Sequence, residues 1–189
     1  MATTTRPARP KNQPSVWLGC SHCYTQGDLV GDWYTITEAL EVTMDDLHDA
    51  CLTLAGPWCE EMEIFDHDLP VSGEPDPSAL PAWIEAYEAV GDQLWPAYHT
   101  WVTTGLYVEN GDGVGDPVAF EDAYCGIWDS FEDFIVEQTN DSGIFDGAGE
   151  TLVRCFDWNK WIADCRYDYS VADVRRDAGA PAVYVFRCL

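Results

Sequence analysis

The sequence predicts an α+β fold built as three small units in series. Two stretches rich in Pro, Gly and Ser divide the chain, at 70–78 and 109–117. Residues that alternate as in strands lie before the first stretch, whereas helical spacing dominates between the two. The 189 residues, 47% of them hydrophobic, can bury a core as one domain or as several small ones. A basic, Pro- and Thr-rich start predicts a flexible tail. We therefore expect a tail at 1–14 and domains at 15–70, 71–118 and 119–189.

The first unit is predicted to contain a β-hairpin, a helix and a further strand. The apolar segment 16–24 and the segment "LVGDWYTI" (29–36) predict two strands that are joined by a turn at "TQGD". A Thr-x-x-Asp pattern that starts at Thr43 predicts a capping box and a helix ending near Gly56. In "EEMEIF" (60–65) acidic and apolar residues alternate, which predicts a strand with glutamates on one face.

The second and third units are predicted to be richer in helices. Apolar side chains recur at helical spacing in 79–90 and 93–103, and Pro81 fits the first turn of the earlier helix. The third unit is predicted to contain, in order, a helix beginning at Ser130, a strand at 152–156, a helix at 157–167 and a terminal strand, "AVYVFR" (182–187).

Charge is distributed very unevenly along the chain. All nine Lys and Arg residues lie outside 12–153, and that stretch contains 29 of the 34 Asp and Glu residues. Repulsion among like charges lowers folding stability, so a folded domain that keeps this imbalance is expected to gain a function from it. The charge argues against nucleic acid, an anionic membrane or an acidic substrate as the partner, and it favours a cationic partner.

Acidic side chains recur at helical spacing without the lysines that a solvated helix face usually carries. Neighbours at i and i+4 on a helix lie about 6 Å apart along its axis. Duplex DNA has one negative charge per roughly 1.7 Å, so the net charge of −25 equals that of about 43 Å of duplex. Three such sets are Asp45 with Asp49; Glu85, Glu88 and Asp92; and Asp129, Asp133 and Glu137.

Two stretches of the sequence contain parts of metal-binding motifs. Cys20 and Cys23 have the C-x₂-C spacing of zinc sites with His22 between them, but no second C-x₂-C or H-x₃-H pair follows, and the segment fits a buried strand. The stretch 110–121 offers some ligands of an EF-hand loop, but Val114 stands where a ligand is required. We therefore expect no bound metal and no other cofactor.

No motif in the sequence indicates catalysis. The four histidines lie in no recognisable nucleophile–base pattern, and no Gly-rich phosphate-binding loop is present. The N-terminal residues lack the apolar segment of a secretory signal, and no apolar run approaches the length of a membrane span. We therefore expect a cytoplasmic protein whose eight cysteines are reduced and mostly buried.

Several segments, in this order along the chain, resemble the ArdA antirestriction family. The segment "YTQGDLVGDWY" (24–34) is similar to the N-terminal hairpin of the family, and "EEMEIFDHD" (60–68) is similar to its Glu-Glu-x-x-Ile-x-Asp strand. The segment "FEDAYCGIWDSFEDF" (120–134) resembles its Phe-x-x-x-Tyr-x-Gly segment and the Ser-capped acidic helix that follows. Finally, "CFDWNKWIADC" (155–165) resembles its aromatic-Asp segment, and the closing "VYVF" (183–186) also fits.

The resemblance implies an elongated protein of three small domains that dimerises through the C-terminal one. It implies no catalysis and no cofactor. The implied function is to imitate bent B-DNA and to occupy the DNA-binding groove in the methylase core of type I restriction–modification enzymes, which protects phage or mobile DNA in a host cell. Phosphate-mimicking roles are then expected for Asp45, Asp49, Glu60, Glu61, Glu63, Asp66, Asp68, Glu85, Glu88, Asp92, Asp129, Glu132, Asp133 and Glu137.

Other protein classes remain open from composition alone. A salt-adapted globular protein also has many acids and few lysines, and it would need molar salt to fold. A small carboxylate hydrolase would use two carboxyl groups in a cleft, and its rate would depend on pH in a bell-shaped manner. A calcium buffer would show a melting shift with calcium that a chelator reverses.

Overall fold

The fold was determined as a computed structural model, which describes residues 13–71, 73–105, 107, 113–176 and 179–188. The chain forms two compact units. The N-terminal unit comprises Met1–Thr103 and Val108–Pro117, and the C-terminal unit comprises Thr104–Tyr107 and Val118–Leu189. The predicted domain at 15–70 and most of that at 71–118 fall in the N-terminal unit. The division into three domains remains a prediction.

The described residues form a mixed α+β fold, as the sequence predicts. The strands are β1 (Ser15–Cys20), β2 (Gly31–Thr35), β3 (Met62–His67), β4 (Tyr124–Trp128), β5 (Tyr169–Arg175) and β6 (Pro181–Arg187). The α-helices are α1 (Ser21–Gln26), α2 (Ile36–Ala39), α3 (Met44–Ala50), α4 (Leu80–Val90), α5 (Trp95–Thr103), α6 (Pro117–Ala123), α7 (Phe131–Asp141), α8 (Glu150–Arg154) and α9 (Trp158–Cys165). Two antiparallel three-stranded sheets have the orders β2-β1-β3 and β4-β6-β5.

β1 is the central strand of the N-terminal sheet and pairs with β2 on one side and β3 on the other. Its side chains Val16, Leu18 and Cys20 are buried, which accounts for its nearly continuous apolar sequence. The predicted pairing of the first two strands and the strand predicted in "EEMEIF" are confirmed. The register between β1 and β3 shifts between Trp17 and Leu18, which marks a β-bulge in this pair.

The strand predicted for 16–24 is wrong beyond Cys20, because α1 begins at Ser21. Gly27 ends α1 in the left-handed conformation with φ of 92°, which glycine adopts without steric cost. The N–H of Gly27 donates to the Tyr24 carbonyl, and that of the next residue donates to the Cys23 carbonyl, so the end of the helix is satisfied locally. A short helix with a glycine stop thus replaces most of the turn predicted at "TQGD".

The second predicted strand, 29–36, is shortened because α2 begins inside it. The hydroxyl of Thr35 accepts from the Glu38 N–H, and the Glu38 carboxylate accepts from the Thr35 N–H at 3.0 Å. This reciprocal capping box starts a helix at Ile36 and ends β2 at Thr35.

The capping box predicted at Thr43 is present at the start of α3, where its hydroxyl accepts from the Asp46 N–H. The predicted end of this helix near Gly56 is wrong, since α3 ends at Ala50. Leu52 has a positive φ of 55°, which a continuing right-handed helix cannot accommodate. Residues 51–61 therefore form an irregular loop, called the 51–61 loop below.

The two helices predicted for the middle of the chain are confirmed as α4 and α5. Pro81 lies in the first turn of α4, where a missing N–H costs nothing. The faces with helical spacing are buried, including Trp83 on α4 and Tyr98 and Trp101 on α5. The Tyr98 hydroxyl donates to the Gly115 carbonyl at 2.6 Å and thereby satisfies its polar group within the core.

The C-terminal sheet packs against α7 and α9 around the ring of Phe134. Ser130 caps α7 and Asp157 caps α9, so both predicted helix starts are confirmed. The terminal strand is confirmed as β6, the central strand of this sheet. The strand predicted at 152–156 is wrong, because these apolar residues lie in or just after the short helix α8, where Leu152 is exposed to solvent.

The structure also contains α6, β4 and β5, which lie in segments to which the sequence interpretation assigned no helix or strand. Residues 1–12 of the tail predicted at 1–14, and the possible calcium ligands Asn110 and Asp112, lie outside the described residues. Within the described part of the chain, no helix combines the length and the apolar character needed to cross a membrane.

Candidate functional site

All fourteen carboxylates predicted to mimic phosphate are exposed to solvent. Ten of them lie in the N-terminal unit: two on α3, five in the segment 60–68, and three on or just after α4. The other four lie in the C-terminal unit, just before or within α7. Each unit therefore presents part of the predicted acidic surface, and the positions of its carboxylates are given for that unit alone.

Three of the carboxylates line one shallow cleft, called the acidic cleft below. The cleft brings Glu60, Glu61 and Glu63 together with the exposed aromatic side chains of Tyr24 and Trp58. Tyr24 is 49% exposed and Trp58 is 74% exposed, although both are large apolar residues. The sequence interpretation assigned neither aromatic residue to the site. The position of Trp58 directly before an acidic run was the feature of the sequence that could have indicated its place in the site.

The acidic cleft is held in place by contacts between α1 and the edge of β3. The Ser21 N–H donates to the Glu61 carbonyl at 3.0 Å, which fixes the backbone of the acidic run against the start of α1. The ring of Phe65 stacks on Tyr24 with centroids 4.2 Å apart. Near the β-bulge, Asp66 is exposed although strict alternation would place it beside buried Ile64.

The predicted pair on α3 has the expected geometry. Asp45 and Asp49 both lie within the helix at i and i+4, so they share a face. Asp46 has a different role, because side-chain and backbone hydrogen bonds from Thr43 lower the pKa of its carboxyl group. Asp46 therefore belongs to the helix cap, whereas Asp45 and Asp49 point their charge to solvent.

The row predicted on the next helix is only partly correct. Glu85 and Glu88 lie on α4, but Asp92 lies beyond the helix, which ends where Gly91 takes a positive φ of 76°. Asp92 instead accepts a hydrogen bond from the Tyr87 hydroxyl. Burial and this hydrogen bond raise the pKa of Tyr87 to about 12.

The row predicted at i, i+4 and i+8 near Ser130 is also partly wrong. Asp129 precedes the capping residue and so cannot share a helix face with Asp133 and Glu137, which lie within α7. Asp129 forms an ion pair with Arg176. Asp133 accepts a hydrogen bond from the Ser130 hydroxyl at 2.6 Å, so part of its hydrogen-bonding capacity is used by the cap.

Two carboxylates of the 60–68 segment also have local partners. Asp68 accepts from the Ser15 N–H at 2.6 Å and joins the end of β3 to the start of β1. Asp66 accepts from the neighbouring His67 N–H at 2.8 Å. His67 itself accepts from the Leu69 N–H through Nδ1, which leaves Nε2–H to donate to the Gly73 carbonyl at 2.7 Å.

The remaining nine carboxylates are the ones most available to a partner. Within the part of the chain that the structure describes, no hydrogen bond or ion pair involves their side chains. Ionised carboxylates are acceptors only, so this surface can receive hydrogen bonds from Lys and Arg. The nine are Asp45, Asp49, Glu60, Glu61, Glu63, Glu85, Glu88, Glu132 and Glu137.

One cluster of side chains has the composition of a metal centre. The ligand atoms of Cys20, Cys23, His48 and Cys59 all lie within 4.8 Å of one another. Burial raises the pKa of the Cys20 thiol, but hydrogen bonds from the Cys23 N–H and from the neighbouring side chains outweigh it and lower this pKa to about 7. Burial and the neighbouring thiols raise the pKa of Cys23 to about 12.

Comparison with known proteins identifies a family to which the chain belongs. The sequence model of the family described as antirestriction protein (ArdA) matches residues 16–177 of the 189-residue chain. This range includes both sheets except for β6, and it contains all fourteen predicted site residues. No curated protein matches the chain.

Proposed function

This chain belongs to the ArdA antirestriction family, a family of non-catalytic inhibitors, and from that premise we propose how it counteracts restriction. In this proposal it imitates B-DNA and occupies the DNA-binding groove in the methylase core of a type I restriction–modification enzyme. Binding there keeps the enzyme from foreign DNA and so protects a phage or a mobile element in the cytoplasm of the host cell.

The exposure of the acidic surface is the observation that supports the proposal most directly. All fourteen carboxylates are exposed, and nine of them lack a side-chain partner among the described residues. No lysine or arginine occurs anywhere in 12–153 to neutralise them. An exposed surface on which most of the carboxylates have no side-chain partner among the described residues is complementary to a cationic groove.

The proposed mechanism is direct competition with DNA. DNA-binding grooves use Lys and Arg to hold phosphates, and these contacts position the duplex without reading its sequence. Carboxylates placed along the inhibitor accept the same charge-assisted hydrogen bonds, and condensed ions are released as they do so. In the acidic cleft, Trp58 and Tyr24 add apolar area beside the charges, as aromatic anchors do in protein interfaces.

We further propose that the protein is a homodimer joined through the C-terminal unit. In that unit Ile144, Leu152 and Tyr167 are exposed apolar side chains, and burial in an interface would remove them from water. Dimerisation would double the charge presented to one enzyme. Light scattering during size-exclusion chromatography tests this part, and a monomeric mass at micromolar concentration would contradict it.

The experiment that tests the proposal is a competition assay with a purified type I enzyme. The enzyme is bound to a labelled duplex that contains its recognition site, and the inhibitor is titrated in at several salt concentrations. We expect the duplex to be displaced at low salt and the apparent affinity of the inhibitor to fall steeply as salt rises. Failure of the inhibitor to associate with the enzyme at low salt would refute the proposal.

The same assay separates mimicry from the other protein classes. Binding distributed over many carboxylates predicts a gradual loss of inhibition as acids are neutralised in groups. Loss of all activity on replacing one carboxylate would indicate catalysis instead. Circular dichroism at low salt completes the test, because a folded protein there excludes a salt-adapted protein that needs molar salt.

A further inference from the structure

The thiol and imidazole cluster of the N-terminal unit is assembled from four separate parts of the fold. Cys20 is the last residue of β1, and Cys23 lies one helical turn later in α1. His48 comes from α3, and Cys59 comes from the 51–61 loop just before β3. Cys20 and His48 are almost completely buried, with 0% and 2% of their surfaces exposed, while Cys23 and Cys59 are half-buried.

The distances within the cluster agree with those of a tetrahedral zinc site. Zn–S bonds of about 2.3 Å place two sulfur ligands about 3.8 Å apart, and a Zn–N bond of about 2.05 Å places sulfur and nitrogen about 3.6 Å apart. The Cys23 and Cys59 sulfur atoms are separated by 3.8 Å, and Cys23 Sγ lies 3.9 Å from His48 Nε2. The two sulfur atoms are much too far apart for a disulfide, whose length is about 2.05 Å.

His48 is oriented as zinc-bound histidines are. The Thr53 hydroxyl lies 3.0 Å from Nδ1 of His48 and can donate its own hydrogen to the His48 carbonyl, 3.4 Å away. With its hydrogen used in this way, the hydroxyl accepts from Nδ1–H, so Nε2 keeps a lone pair that faces the thiols. A hydrogen bond to the distal ring nitrogen is the usual outer support of a histidine ligand.

We propose that Cys20, Cys23, His48 and Cys59 bind one Zn²⁺ ion in a closed structural site. Three sulfur ligands and one imidazole favour zinc over the oxygen-seeking cations calcium and magnesium. Four protein ligands leave no open position for a substrate, so the site is structural. The thiols bind as thiolates, and their protons pass to solvent when the ion enters.

The site gives the 51–61 loop an anchor in addition to its hydrogen bonds, such as that from the Thr53 N–H to the His48 carbonyl at 2.9 Å. Leu52 and Leu54 are each 94% exposed, so the apolar residues of this loop contribute little burial. Cys59 is followed directly by Glu60 and Glu61, so the ion would fix the start of the acidic cleft relative to β1, α1 and α3. The zinc proposal does not depend on the antirestriction proposal. A bound ion would nevertheless order part of the acidic cleft.

The test is the metal content of the full-length chain. We expect about one zinc ion per chain by mass spectrometry of the metal, and tetrahedral thiolate-type absorption bands when Co²⁺ replaces zinc. C59S should lose the ion. C155S, which removes an exposed cysteine of the C-terminal unit, is the matched control and should keep it. H48C should also keep the ion, since a thiolate replaces the imidazole.

Several outcomes would overturn the assignment. The proposal fails if the wild-type chain takes up no zinc from excess free ion, or if C59S binds as much zinc as C155S. A disulfide between Cys23 and Cys59, detected by alkylation and mass spectrometry without reductant, would assign the cluster to redox chemistry instead. C59S could lose zinc simply because it misfolds. The zinc content of the wild type and of H48C is therefore measured as well, and these two values test the site independently of C59S. No restriction enzyme is needed, so the test is separate from that of the proposed function.

Discussion

The two sheets of this protein have the same architecture, but the segments around them differ in how many Lys and Arg residues accompany their acids. Each is a three-stranded antiparallel sheet that carries helices. In the C-terminal unit, Asp129 is paired with Arg176, and Asp164 is paired with Lys160 at 2.8 Å. In the N-terminal unit the sequence of segment 60–68 contains five carboxylates and neither Lys nor Arg.

This difference follows the sequence closely. Six of the nine Lys and Arg residues lie after residue 153, where they accompany only five acids. All the other acids lie in the stretch without cations. An α+β unit of this kind can thus fold with no Lys or Arg close to most of its acids in the sequence. We infer that the uncompensated charge is not a requirement of the fold and is kept for a partner.

The two sheets also differ in how their cores are completed. In the C-terminal unit Phe134 meets the edge of Tyr169 at 5.0 Å and lies near Trp128, and these rings form an aromatic core. In the N-terminal unit the end of β1, α1, α3 and the 51–61 loop meet at the cluster of Cys20, Cys23, His48 and Cys59. The N-terminal unit therefore has, in addition to its own ring contacts, a cluster that in our proposal binds a metal ion.

The largest expected effect tests the aromatic core. Replacing Phe134 by Ala should lower the free energy of unfolding by about 3–5 kcal/mol, because a fully buried ring is removed and leaves a cavity. Leu152→Ala is the control, since this side chain is 70% exposed and its loss should cost less than about 0.5 kcal/mol. Urea unfolding followed by circular dichroism measures both, and equal effects would contradict the assigned core.

The next effect tests the role of the acidic cleft. The triple variant E60Q/E61Q/E63Q should weaken binding to a type I enzyme by about 0.6–3 kcal/mol, as expected for three exposed ion pairs. The slope of log affinity against log salt should fall by about 0.9 per carboxylate that meets a cation. Titration calorimetry at several salt concentrations would measure both quantities.

A matched control distinguishes local contacts from net charge. The variant D141N/D146N/E150Q changes the charge by the same amount in the C-terminal unit, at acids outside the fourteen. It should bind almost as tightly as the wild type. Equal losses in the two triple variants would show that total charge, rather than the acidic cleft, determines binding.

A smaller effect is expected at the helix cap beside the acids of the C-terminal unit. Ser130→Ala removes the hydroxyl that accepts from the Asp133 N–H at 3.1 Å, which should cost about 1 kcal/mol of folding stability. Ser130→Thr keeps a hydroxyl at the cap and should retain most of that stability. Thermal melts would measure the difference, and equal melting temperatures for the two variants would contradict the role of the cap.

Sequence reasoning succeeded where the physical signal is local. The caps at Thr43, Ser130 and Asp157 were predictable because each side chain bonds a backbone N–H three residues ahead. Short apolar runs were harder to interpret. The run at 152–156 has the composition of a strand, yet it largely forms an exposed helix, because nothing in its sequence says what packs against it.

The candidate site was predictable in composition but less so in geometry. The structure shows that the predicted acids are exposed, while Asp92 and Asp129 lie outside their helices because Gly91 and Ser130 set the helix ends. The zinc cluster was missed for a different reason. His48 and Cys59 are distant in sequence from the C-x₂-C pair and have no motif spacing, so only the folded chain brings them together.

The smallest expected effect distinguishes Asp129 from Glu132, two neighbouring carboxylates for which the sequence predicts the same role. Asp129 is already paired with Arg176, whereas the side chain of Glu132 has no partner among the residues that the structure describes. D129N should change stability by less than about 0.5 kcal/mol, since the pair is largely exposed. D129N should also leave the salt dependence of enzyme binding unchanged, because the ion pair with Arg176 keeps Asp129 from binding a cation of the enzyme. E132Q should lower the slope of log affinity against log salt by about 0.9. If D129N lowers it equally, Arg176 must release Asp129 on binding, and the C-terminal unit would then contribute charge in the same way as the N-terminal unit.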